Sequence, residues 1–83
     1  MEKFPTMTEG QVALVRANTQ YGQVLNELFQ LEQSDTKKVF TVFDSLQDAK
    51  KYAESFLNKT DEYEFVIYNS KNEVLAYLDP KSF

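Results

Sequence analysis

The sequence predicts a small α+β domain in the order helix–strand–helix–strand–strand, with a C-terminal β-hairpin packed on an amphipathic helix. Three observations carry that expectation. Residues 45–58 place Leu46, Ala49, Ala53, Phe56 and Leu57 on one helical face and Gln47, Lys50, Lys51 and Glu54 on the other. Val39-Phe40-Thr41-Val42-Phe43 is an unbroken β-branched and aromatic run. Residues 63–78 alternate about the turn-forming Asn69-Ser70-Lys71-Asn72.

Eighty-three residues make one domain, 1–83, and 42% apolar content is enough for one core. Residues 1–7 read as a tail in which Pro5 keeps Phe4 extended. Thr8-Glu9-Gly10-Gln11 has the form of a capping box. Behind it Leu14, Ala17, Tyr21, Val24, Leu28 and Leu31 recur at spacings of three and four, which predicts a helix over 8–32. Asn18-Thr19-Gln20-Tyr21-Gly22 is its weak point, since an interior Gly costs ~1 kcal/mol relative to Ala. A competing pattern starts at the alternating Phe29-Gln30-Leu31-Glu32, turns at Ser34-Asp35-Thr36 and returns through Phe43. That alternative makes the order αββαββ.

The strand at Lys37 to Phe43 ends at Asp44-Ser45, and Ser45-Leu46-Gln47-Asp48 offers a hydroxyl cap and an acid in the first turn of the next helix. Asn58-Lys59-Thr60 closes that helix. In the hairpin, a two-residue loop puts Tyr63, Phe65, Ile67, Val74, Ala76 and Leu78 on one face. Glu64, Val66, Tyr68, Glu73, Leu75 and Tyr77 then share the other. Asp79-Pro80 stops the last strand and residues 79–83 form a tail. Leu46, Ala53, Phe56, Phe65 and Ile67 are the expected core.

Composition narrows the chemistry. With no Cys there is no disulfide, thiolate nucleophile or thiolate metal site. With no His there is no Ser-His-Asp or Cys-His triad and no common zinc set. Gly10 and Gly22 stand too far apart for a phosphate-cradling loop. No Asp-x-Asp-x-Asp-Gly pattern occurs, so the acids at Asp61, Glu62 and Glu64 do not form a calcium loop. No catalytic, cofactor or metal residue is expected. Carboxylate or lysine chemistry is the only enzymatic route left, and an enzyme or small-ligand binder is the weakest of the readings.

The formal net charge is −4, with residues 37–60 the only net-positive third. Five lysines mixed with three acids there do not make a nucleic-acid stripe, and the acidic balance disfavours phosphate and anionic lipid. No apolar stretch follows Met1-Glu2-Lys3 as in a leader, and no run is long enough to cross a bilayer. A cytoplasmic protein with neither membrane nor nucleic-acid partner is expected.

The hairpin's two apolar faces carry the functional expectation. The helix at 45–58 covers one. The other, Glu64, Val66, Tyr68, Glu73, Leu75 and Tyr77, is either covered by the N-terminal helix or open to a protein partner, with Tyr68 and Tyr77 partly exposed. The leading expectation is a small acidic non-catalytic protein-binding module: a stoichiometric inhibitor, an immunity-type protein or a regulatory protein. The alternative is a homodimer joined along the heptad rows Leu14-Tyr21-Leu28 and Ala17-Val24-Leu31.

Overall fold

A computed structural model of the chain describes residues 4–26, 28–30 and 39–81. They form one antiparallel sheet and one helix, an α+β arrangement: β1 (Val12–Asn18), β2 (Val24–Leu25), β3 (Phe40–Phe43), α1 (Leu46–Leu57), β4 (Tyr63–Tyr68) and β5 (Val74–Leu78). β1 and β4 lie at the centre, and β5 flanks β4. On its other side β1 pairs with β2 at Arg16 and Ala17 and with β3 from Val12 to Val15, so the two short strands share one edge end to end. The step β3–α1–β4 crosses over β1 and joins two strands that run the same way.

The predicted helix over 8–32 is not formed; between Val12 and Leu25 the chain instead makes β1, a turn and β2. Val12, Leu14 and Arg16 alternate with Ala13, Val15 and Ala17, and both sets are substantially buried. A strand with two apolar faces has no polar alternation to announce it, so the three-and-four spacing prevailed in the sequence pattern. The weak point does break the chain direction. Gly22 sits at φ 67, its N–H donates to the Asn18 carbonyl, and the Asn18 side chain accepts from the Tyr21 N–H. Half of the expected capping box also forms, with the Thr8 N–H donating to Gln11 Oε1, but Gly10 at φ 93 turns the chain into a strand. The helical seam proposed for a homodimer disappears with the helix.

The αββαββ alternative loses its leading helix in the same way, and Phe29, the start of its extra hairpin, adopts φ 62 outside any strand; the rest of that hairpin's first strand and its turn fall on residues 31–38, outside the described residues. Asn26 Oδ1 accepts from the N–H groups of Leu28 and Gln30. That tight loop delivers the Phe29 ring to 4.7 Å from Phe56 and 4.6 Å from Tyr63.

The other expected elements stand. Ser45 caps α1, its hydroxyl accepting from the Asp48 N–H. Ala49, Ala53 and Leu57 are buried against Val12, Leu14, Phe65 and Ile67. Of the expected core, Ala53, Phe65 and Ile67 are buried, while Leu46 and Phe56 are half-buried at its margin.

The C-terminal hairpin differs in one detail with consequences. Its turn runs through Asn72 at φ 64, with the Asn69 N–H donating to the Glu73 carbonyl. Left alone, that longer turn would invert one strand against the other. A bulge between Ile67 and Tyr68 restores the pairing of Ile67 with Ala76 and Phe65 with Leu78. Val74 is instead opposite Tyr68 and 60% exposed, which moves it off the predicted core face.

Candidate functional site: the outer sheet face

α1 packs across β4, β1 and β3 on one side of the sheet. Cross-strand neighbours share a face, so the registers lay out the opposite side directly. One row reads Val42, Ala13, Tyr68, Val74; the next reads Phe40, Val15, Val66, Tyr77. Both rows are apolar or aromatic from edge to edge. Beyond them Val24, Ala17 and Glu64 form a third, where the first carboxylate enters.

Exposure on this face is concentrated at its two edges. Val42 on β3 is 42% exposed, and on β5 Leu75 is 45% and Tyr77 50% exposed. The centre is shielded by a part of the chain the sequence assigned to a tail. The Phe4 ring lies edge-on to Phe40 at 5.3 Å and to Tyr68 at 5.9 Å. Beside it is an apolar depression of about 330 Å³ lined by Val15, Val24, Val39, Phe40 and Tyr68.

The six residues singled out from sequence separate into groups. Glu64, Val66, Tyr68 and Tyr77 share the outer face. Leu75 stands at the bulge on the sheet edge. Glu73 belongs to the turn, where its carboxylate accepts from Asn69 Nδ2. The Tyr77 hydroxyl donates to Glu64 Oε2 across two strands. That bond to a carboxylate, reinforced by desolvation and by the charges of Glu64 and Asp79, pushes the phenol up to about 12.

The acidic segment at the entrance to β4 is also divided. Glu62 folds back on Thr60, whose hydroxyl donates to its carboxylate. The Asp61 carbonyl accepts from the Thr19 hydroxyl. Asp61, Glu64 and Asp79 line an open depression of about 620 Å³ with Thr19, Pro80 and Lys81. Among the described residues no group of acids is placed to hold a metal ion.

Arg16 is the residue that sequence reasoning missed most plainly. It is fully buried on the helix side of β1. Its Nη2 donates to Thr41 Oγ1, and its guanidinium lies 5.3 Å from the Phe29 centroid and 5.8 Å from that of Tyr52. The planar cation is held between ring faces inside the core. Strand alternation with Val12 and Leu14 was the available signal, and the helical reading of that stretch concealed it.

Among the described residues no helix is long and apolar enough to cross a membrane. Comparison with known protein families, characterised proteins and solved structures finds no match to this chain.

Proposed function

We propose that this chain is a small acidic, non-catalytic protein-binding module whose contact surface is the outer sheet face, with Tyr77, Leu75 and Val42 at its rim and Val66 and Tyr68 toward its centre. One observation carries the reading: two cross-strand rows are apolar throughout and are exposed at both edges. Tyrosines suit such a surface, giving large contact area with a polar end, and Tyr77 is already oriented by Glu64. Stoichiometric inhibition, immunity to another protein and regulation are the activities consistent with a binder of this size. The acids at Glu64, Glu73 and Asp61 favour a partner whose rim is neutral or basic. A cytoplasmic setting belongs to the same reading and rests on the cysteine-free composition alone.

The test is photo-crosslinking in the source cells, with a benzophenone amino acid at position 77 and, as control, at position 51 on the exposed side of α1. The proposal expects a discrete crosslinked species from position 77 and none from 51. No crosslinked species from position 77 would contradict it.

A further inference from the structure

We infer that the open edge of β5 takes a short extended segment of another polypeptide as a further strand, and that this segment is apolar with a lysine or arginine at each end. The inference concerns the main chain at the sheet edge and goes beyond the outer-face reading, with which it shares Tyr77 and Leu75.

Two main-chain hydrogen bonds fix which groups of β5 are open. The Thr19 N–H donates to the Glu62 carbonyl at 2.9 Å, and on the other side of β1 the Asn18 N–H donates to the Gln23 carbonyl at 3.0 Å. Main-chain groups alternate sides along an antiparallel strand, so Ala17 and Val15 bond Glu64 and Val66 across the β1–β4 register. Phe65 and Ile67 then turn to β5, where Leu78 and Ala76 stand opposite them. Tyr77 lies between those two, so its N–H and carbonyl point away from the sheet. Among the described residues no strand pairs with β5 on that side.

The edge also lacks most of the usual protection. Exposed edge strands are commonly blunted by lysine, proline or an inward charge, or covered by a helix. Val74–Leu78 has no charged residue and no proline, and α1 packs over β4, β1 and β3 instead. Val74, Leu75 and Tyr77 are all exposed. The bulge beside Val74 blunts the start of the strand and Pro80 stops its end, which limits an added strand to a few residues. Outward main-chain donors and acceptors are complemented by an extended main chain, and the apolar side chains beside them by apolar ones.

Charge selects the partner. β5 is bracketed by acids, Glu73 before it and Asp79 after it. A second β5 paired antiparallel in full overlap about Ala76 would set Glu73 of each copy beside Asp79 of the other, at both ends of the pairing. Like charges directly opposite destabilise a sheet, whereas opposite charges support it. The bracket that disfavours a second copy therefore favours a basic residue at each end of an incoming strand.

The probe is the peptide acetyl-Lys-Val-Thr-Val-Thr-Val-Lys-amide, added to the full chain up to about 1 mM because a single short strand binds weakly. Amide hydrogen exchange resolved by residue is the readout. Without peptide, the Tyr77 N–H should exchange much faster than those of Ala76 and Leu78. With it, the Tyr77 N–H should gain protection, and the same peptide with glutamate at both ends should bind about 5-fold or more weakly. Glu73→Gln combined with Asp79→Asn should make the two peptides bind alike. Leu75→Lys, at an exposed position, should weaken the lysine peptide at least ~10-fold while melting with the parent. A slow Tyr77 N–H in the dilute chain alone overturns the inference, because the edge is then already filled. No protection by the lysine peptide, or equal binding of the glutamate peptide, overturns it as well. Protection that grows with protein concentration alone assigns the edge to a second copy and overturns the stated partner. None of these outcomes depends on crosslinking from position 77, so the outer-face reading stands or falls separately.

Discussion

Phe4 meets Tyr68 edge-on, at 5.9 Å between centroids and 86° between planes, on the side of the sheet that α1 does not reach. A residue from the first turn of sequence thereby becomes part of the outer face. Pairs of this geometry contribute about 0.5–1.5 kcal/mol beyond the area they bury. Phe4→Ala is expected to lower the unfolding free energy of dilute protein by about 1 kcal/mol. Urea titration checks it, and no change would mean the ring does not hold that position in solution.

The helix side should respond far more strongly. Phe65 is fully buried among Phe29, Tyr52 and Phe56. Phe65→Ala is expected to cost ~3–5 kcal/mol, most of the stability of a domain this small. Phe56 is half-buried, and its truncation should cost less, about 2–3 kcal/mol. Chemical denaturation of both variants gives the order; Phe56→Ala as costly as Phe65→Ala would contradict the packing described.

Arg16 offers a test of shape at constant charge. Lysine keeps the cation but loses the planar group that lies over Phe29 and Tyr52. Arg16→Lys is expected to destabilise by about 1–3 kcal/mol. Equal stability of the two proteins would show that the ring contacts contribute nothing.

The Tyr77 phenol should ionise late. It is raised from 10.0 to about 12, chiefly by its hydrogen bond to Glu64. Because the folded state holds this proton more tightly than the unfolded state, the bond's contribution is intact below pH 10 and is lost as pH climbs through about 12. Phenolate absorbance, taken as the difference between the parent and Tyr77→Phe, isolates this group. Glu64→Gln should return the transition toward 10; a difference curve unmoved by that substitution would remove Glu64 as the cause.

The legibility of the fold in the sequence follows from one physical distinction. α1 was readable because Ala49, Ala53 and Leu57 face the sheet while Gln47 and Lys51 face water. β4 was readable because Phe65 and Ile67 are buried on one side. β1 was not, because Ala13 is as buried as Leu14 and an arginine occupies a core position beside them. A central strand lacks the polar side on which period-two patterns depend. The candidate site was half legible for the same reason. The hairpin pattern places Val66, Tyr68 and Tyr77, whereas the sequence pattern assigns their neighbours Val15 and Phe4 to a helix and a tail. The bulge that moved Val74 to the outer face compensates for turn geometry, and the residue types alone do not announce it.

The central claim is that the sheet has a helix-covered side which holds the fold and an outer side which serves contact. Urea unfolding of Tyr77→Ala beside the parent, at protein concentrations well below micromolar so that any association contributes little, tests it most directly. Tyr77 is 50% exposed, and its loss should change the unfolding free energy by no more than about 0.5 kcal/mol. A loss above ~2 kcal/mol would make the outer face part of the core and contradict the account.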